Sequence, residues 1–174
     1  MSISFEAPLT EIEAQQIVKI PISASKQLPS RGMVMVQGTI NGLPFISPLE
    51  PDGKESHWFQ LSDILLMDLG VTVGQTMSFN IEPMSEWVEP EIPDDIMDAI
   101  IQEGLLNQWN TLTTKARWEW LRWIRSTKNE ATRRKRIEVA CSKLQKGDRR
   151  PCCFDTTRCT IMEVSTSGVL KDLT

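Results

Sequence analysis

The sequence predicts an α+β chain in which a small N-terminal β-barrel is followed by a C-terminal helical bundle. Three observations carry that reading. Period-two apolar patterning punctuated by turn residues runs as far as Pro83, and capped segments of helical period begin at Asp94. The charge also changes sign between them: residues 1–93 hold 4 Lys+Arg against 12 Asp+Glu, and residues 94–174 hold 15 against 11, so the halves carry −8 and +4 within a net −4. With 40% hydrophobic and 24% charged residues in 174, the chain has the composition of an ordinary globular protein, which excludes a disordered chain and a fibrous repeat.

In the first half, Val18, Ile20 and Ile22 alternate with Lys19 and Pro21, the pattern of a strand with one buried face. Ser23 to Arg31 reads as a short helical turn or loop. Met33 to Ile40 and Leu43 to Leu49 are β-rich, and Asn41-Gly42 between them supplies the residues a type I′ turn needs at positive φ, so a hairpin is expected. Asp52-Gly53 marks a second turn, and His57 to Leu61 forms another strand. Ser62-Asp63 caps a short apolar helix, Ile64 to Leu69, that Gly70 ends. In the last strand, Thr76 to Glu82, Met77, Phe79 and Ile81 share one face. Five or six short strands with one short helix suit a closed barrel, which leaves no exposed sheet edge.

The expected domains are therefore a barrel at 1–83, a stiff proline-rich linker at 84–93, a three-helix domain at 94–150 and an irregular cysteine-containing tail at 151–174 that either wraps back or stays disordered. The three helices are Asp94 to about Glu103, Thr114 to Ser126 capped by Thr113, and Glu130 to Gln145 capped by Asn129 and stopped by Gly147. Their buried stripes are Ile96, Ala99 and Ile100; Trp120, Leu121 and Ile124; and Ile137, Ala140, Cys141 and Leu144.

The start, Met1-Ser-Ile-Ser-Phe-Glu-Ala-Pro, lacks the basic and apolar regions of a secretory signal, and apolar runs such as Ile64 to Met67 are far short of the roughly 18 residues of a membrane span. A soluble, cytoplasmic protein is expected, with Cys141, Cys152, Cys153 and Cys159 as free thiols.

Few residues offer chemistry. His57 is the one histidine, read as a partly exposed strand residue, and no nucleophile elbow, phosphate loop or dinucleotide fingerprint is present. Cys152 and Cys153, near Arg149, Arg150 and Arg158, are candidate reactive thiols, because adjacent cations lower a thiol pKa. Their spacing does not suit a zinc tetrahedron, and neither a metal nor a cofactor is expected. A candidate binding surface comprises Arg117, Trp118, Arg122, Arg125, Lys128, Arg133, Arg134 and Arg136, where tryptophans interleave with arginines as in surfaces that stack bases and neutralise phosphates. The competing reading, which is preferred, packs the outward tryptophan near Trp87 and pairs the arginines with acids.

Leu28-Pro-Ser-Arg-Gly32, Val36-Gln-Gly-Thr-Ile-Asn-Gly42 with Pro44-Phe45, and Gly70-Val-Thr-Val-Gly-Gln-Thr76 resemble the family called domain of unknown function 1905. That resemblance implies a barrel of the double-split type, the broad architecture of the swapped-hairpin transcription-factor barrels. Trp120-Leu-Arg-Trp-Ile-Arg-Ser-Thr-Lys128, Glu130-Ala-Thr-Arg-Arg-Lys-Arg-Ile137 and Lys146-Gly147 are similar to the YdeI or OmpD-associated, bacteriocin-protection family. The resemblance brings no catalytic residues and implies a protective or binding role; with no catalytic constellation in the sequence a non-enzymatic protein is expected, and an enzyme of unknown type is the remaining alternative. Three kinds of partner follow from the charges: an acidic molecule or protein, a nucleic acid as the less favoured choice, and the acidic half of the same chain. Monomer and homodimer both fit.

Overall fold

Ile3, Phe5 and Ala7 alternate with Ser4, Glu6 and Pro8 at the very start of the chain and form a first strand, β1 (Ile3–Pro8). The computed structural model describes residues 1–172. They divide into two compact units: the first holds Met1–Glu86, Thr156–Cys159 and the stretch from Glu163 onward, and the second holds Trp87–Asp155 and Thr160–Met162.

In the first unit β1 is followed by β2 (Thr10–Ile12), β3 (Gln15–Lys19), α1 (Ile22–Ser25), β4 (Val34–Ile40), β5 (Leu43–Pro51), β6 (His57–Gln60), α2 (Asp63–Leu69) and β7 (Thr76–Pro83). The strands form one antiparallel, curled half-barrel in the order β1-β7-β4-β5-β6-β3-β2. Its two edge strands are consecutive pieces of chain: β1 pairs with β7 as far as Pro8↔Thr76, and past Leu9 β2 pairs with β3 from Thr10↔Ile17. The backbone itself therefore joins the two edges, which protects them from pairing with another chain. Pro8, with no N–H to give, sits on a strand that has a partner on only one side.

Neither β1 nor β2 belongs to the strand set expected from the sequence, and the turn between β2 and β3 explains why. Glu13 and Ala14 make it at φ 50° and 65°, although neither residue type announces a turn. The alternation expected at Val18, Ile20 and Ile22 stops early: β3 ends at Lys19, and Ile22, 51% exposed, opens α1 behind Pro21. The other elements follow their signals. Asn41-Gly42 turns β4 into β5, Ser62 caps α2 by accepting from Leu65 N, and Gly70 ends it at φ 63°. On β7, Met77, Phe79 and Ile81 are buried and their neighbours exposed.

A row of phenylalanines crosses the barrel core: Phe5 stacks on Phe79 at 4.7 Å, Phe79 meets Phe59 edge-on at 6.2 Å, and Phe59 lies against Phe45 at 5.6 Å. Gly38 lies where β4 presses on β7. A Cβ there would lie 1.9 Å from the Asn80 carbonyl oxygen, so only glycine fits this register.

The second unit begins at Trp87, inside the proline-rich segment. It contains α3 (Asp94–Gln102), α4 (Leu106–Thr111), α5 (Thr114–Arg125) and α6 (Glu130–Gln145). The expected buried positions Ile96, Ile100, Trp120, Leu121, Ile124, Ile137, Ala140, Cys141 and Leu144 are all in its core, and Ala99 packs against it. Thr113 Oγ1 accepts from Ala116 N at 3.1 Å and Asn129 Oδ1 from Thr132 N at 2.9 Å, the two caps read from the sequence. The three-helix expectation is corrected by α4. This helix has no side-chain cap and buries only Trp109, so it leaves no periodic stripe to read.

The tail is not wholly irregular. Val164, Leu170 and Cys159 are buried, and β8 (Ser165–Thr166) pairs with β9 (Val169–Leu170). Leu170 N donates to the Asp52 carbonyl at 2.8 Å, which fastens this small hairpin to the barrel turn at Asp52-Gly53.

Candidate functional site

His57 begins β6 and is 1% exposed, which corrects the partly exposed histidine expected from the sequence. Its Nε2 lies 2.8 Å from the Gly32 carbonyl oxygen, an acceptor only, so Nε2 carries a hydrogen and donates. In the neutral ring Nδ1 is then the acceptor, and the Ser25 hydroxyl donates to it across 2.6 Å. Arg31 donates to the Ser25 hydroxyl at 3.2 Å and to the Glu55 carbonyl at 2.7 Å, and also bonds the Ser25 carbonyl. Burial pushes the imidazole below its ordinary 6.5, opposed by the Gly32 hydrogen bond and assisted by the Arg31 charge.

A serine hydroxyl on an imidazole is the start of a nucleophilic dyad. Ser25, however, is fully buried, and both ring nitrogens are engaged. The arrangement ties α1, the Gly32 loop and β6 together. Two clefts elsewhere, one lined by Gln37, Thr39, Phe45 and Glu82 and one by Glu103, Ile137, Glu138 and Cys141, do not include His57. No local pattern signals the partnership, because Ser25 and His57 are 32 residues apart. Arg31 and Gly32 were visible only as part of a motif.

The basic candidates do not gather into one surface. Arg117 pairs with Glu89 at 2.5 Å and donates to the Leu112 and Trp109 carbonyls at 2.6 and 3.2 Å, so it closes the C-terminal end of α4. Trp118 donates its indole hydrogen to Val88 O at 2.7 Å, while Trp87 takes the Lys115 ammonium over its ring at 5.5 Å. Arg122 is 2% exposed with its guanidinium 5.5 Å from the Phe154 ring centroid, and Arg125 donates to Thr160 Oγ1 at 3.0 Å. Arg133 grips Asp95 with two bonds of 2.7 and 2.9 Å, which holds the Asp95 carboxyl below its usual range. Arg136 donates to Trp123 O and Ser126 Oγ at 2.8 and 2.7 Å and lies over the Trp123 ring. Lys128 and Arg134 are exposed. Six of the eight thus make contacts within the second unit, and two project to solvent.

Cys152 and Cys153 are exposed, whereas Cys141 and Cys159 are buried. Donation of the Cys153 thiol hydrogen to Cys152 and the repulsion of the Cys152 charge push Cys153 upward, against the lowering expected from nearby arginines. Arg150 faces Glu119 at 3.8 Å. Among the described residues no cluster of three or more His, Cys, Asp or Glu could hold a metal, and no helix is long and apolar enough to cross a membrane.

The motif glycines and arginine of the barrel, and the capped helices that follow, now have their places in the structure. Each part of the chain matches a known family. Residues 5–81 match domain of unknown function 1905, and residues 89–147 match the family described as bacteriocin-protection, YdeI or OmpD-associated. No curated protein matches the chain. In the domain of unknown function 1905 segment, Gly38 serves the β4–β7 approach and Arg31 and Gly32 enclose the His57 cluster. In the bacteriocin-protection segment, Arg117, Arg133 and Arg136 bind the helical unit internally.

Proposed function

We propose that this chain is a non-enzymatic binding protein of the bacteriocin-protection type, and that what it binds is a cationic, amphipathic peptide. The observation that carries this reading is the outer face of α2. Ile64 and Met67, 74% and 81% exposed, stand between the exposed acids Asp63 and Asp68, while Leu65, Leu66 and Leu69 turn toward the barrel core. The segment that contains α2, residues 1–86, holds 4 Lys+Arg against 10 Asp+Glu. An apolar pair ringed by acids on an acidic body is complementary to a peptide with one apolar and one basic face. The match of residues 89–147 to a family described as bacteriocin-protection supports the protective part of this reading. The sealed Ser25–His57 pair supports a role without catalysis.

Calorimetric titration of the purified chain with a cationic amphipathic peptide is expected to show binding that weakens with added salt, and the double substitution I64E/M67E is expected to abolish it. Cells that lack the gene are expected to survive bacteriocin challenge less well; unchanged survival would remove the protective role. Lys128, between α5 and α6, and Arg134, within α6, are both exposed and favour a second reading as a nucleic-acid binder. Gel-shift titration at two salt concentrations separates the two, since retention of DNA or RNA at low salt belongs only to the second.

A further inference from the structure

We propose that Cys152 and Cys153 form a dithiol site that binds a trivalent arsenical through both sulfurs. Both residues are exposed in a turn after Pro151, with Cys153 held at φ 64°. The two residues are adjacent in the chain, and the other two cysteines are buried, so this pair is the part of the cysteine set that meets solvent.

The geometry selects among the things that two adjacent thiols can do. One peptide separates the residues, which places their Cα atoms ~3.8 Å apart. An unstrained disulfide needs about 4.4–6.8 Å, so direct S–S closure is disfavoured. Zinc asks for four ligands in a tetrahedron, and the described residues assemble no third donor here. A linear two-coordinate cation would force the sulfurs apart. A trivalent arsenic centre is soft, holds its ligands near right angles and needs only two thiols when its third valence carries carbon. It suits the sulfurs of two residues that a single peptide separates.

The chemistry closes without an oxidant. An arsine oxide, R–As=O, meets the two thiols; two As–S bonds form, the As=O bond breaks, and the oxygen leaves as one water with both thiol protons. Arsenic remains trivalent throughout. Protonated thiols, such as the raised Cys153, are the form consumed.

Phenylarsine oxide, added in equimolar amount to the full chain in excess monothiol, tests this by intact mass and by titration of accessible thiols. The expected result is one phenylarsenic adduct with two thiols lost, reversed by a dithiol such as 2,3-dimercaptopropanol. C152S and C153S are each expected to lose the adduct, and C141S to keep it, with circular dichroism confirming that all three fold. Absence of an adduct in the wild type, or an adduct that survives in C152S or C153S, overturns the proposal.

Discussion

Ser25 donates its hydroxyl hydrogen to His57 Nδ1 across 2.6 Å, 32 residues away in the chain, and this contact decides how the protein's one histidine is used. With Nε2 committed to the Gly32 carbonyl, the imidazole serves as a two-sided clamp between α1, the following loop and β6. Replacing it by alanine leaves the Ser25 hydroxyl hydrogen without its acceptor and the buried Gly32 carbonyl without its donor, at about 1–3 kcal/mol for each. Chemical denaturation of H57A is expected to show a loss of about 2–5 kcal/mol, cavity included.

The same burial makes the barrel acid-sensitive. Desolvation lowers the folded pKa of His57 below the ordinary 6.5, so well above that pH the imidazole is neutral in both folded and unfolded chains and adds no pH dependence. As pH falls below about 6.5 the unfolded chain takes up the proton first, and stability declines until the folded value is also passed. Urea midpoints measured from pH 7.5 to 5 are expected to fall in the wild type and to change less in H57Q. Equal slopes would contradict this account.

Gly38 gives the sharpest steric prediction. The Asn80 carbonyl oxygen that a new methyl group would meet at 1.9 Å is backbone, with no flexible side chain to move aside. G38A is expected to destabilise by about 3 kcal/mol, the upper part of the range for overpacking. A thermal melt of the variant checks it, and a wild-type midpoint would show that β4 and β7 can separate at no cost.

The turn at Glu13-Ala14 predicts a gain. Ala14 holds φ 65°, where a Cβ costs about 1–2 kcal/mol and glycine pays nothing sterically. Against that, glycine adds roughly 0.5–1 kcal/mol of unfolded-state entropy. A14G is expected to stabilise by about 0.5 kcal/mol, read as a small upward shift of the denaturation midpoint.

In the helical unit, Arg117 and Glu89 are unequal partners. Glu89 is 61% exposed on its side chain, while Arg117 is 12% exposed and also serves the Leu112 and Trp109 carbonyls. Losing the carboxylate removes an exposed ion pair worth about 0–1 kcal/mol. Losing the guanidinium also uncovers carbonyls at the end of α4, for about 1–3 kcal/mol. R117M is therefore expected to destabilise more than E89Q, and the reverse order would refute the capping role.

Much of the fold was legible because its signals are local. Asn41-Gly42, the Ser62, Thr113 and Asn129 caps and the alternation of Met77, Phe79 and Ile81 each act within a few residues, and each appears where its residues call for it. Signals went unread where the residue types were unmarked: Glu13-Ala14 turn without glycine or asparagine, and α4 has no side-chain cap. The candidate surface was less legible, because a run such as Arg133 to Arg136 states charge but not partner.

The amino-acid sequence by itself determined the elements that carry local signals, the α+β order and the division of charge, since propensity, capping and periodicity are properties of short segments. Only the tertiary structure decided that β1 and β2 join the two edges of the half-barrel, that Arg117, Arg133 and Arg136 face inward partners, and that His57 is enclosed by Ser25 and Gly32. These depend on residues far apart in the chain meeting at hydrogen-bond distance. A one-dimensional pattern records which groups need partners; the folded chain selects them.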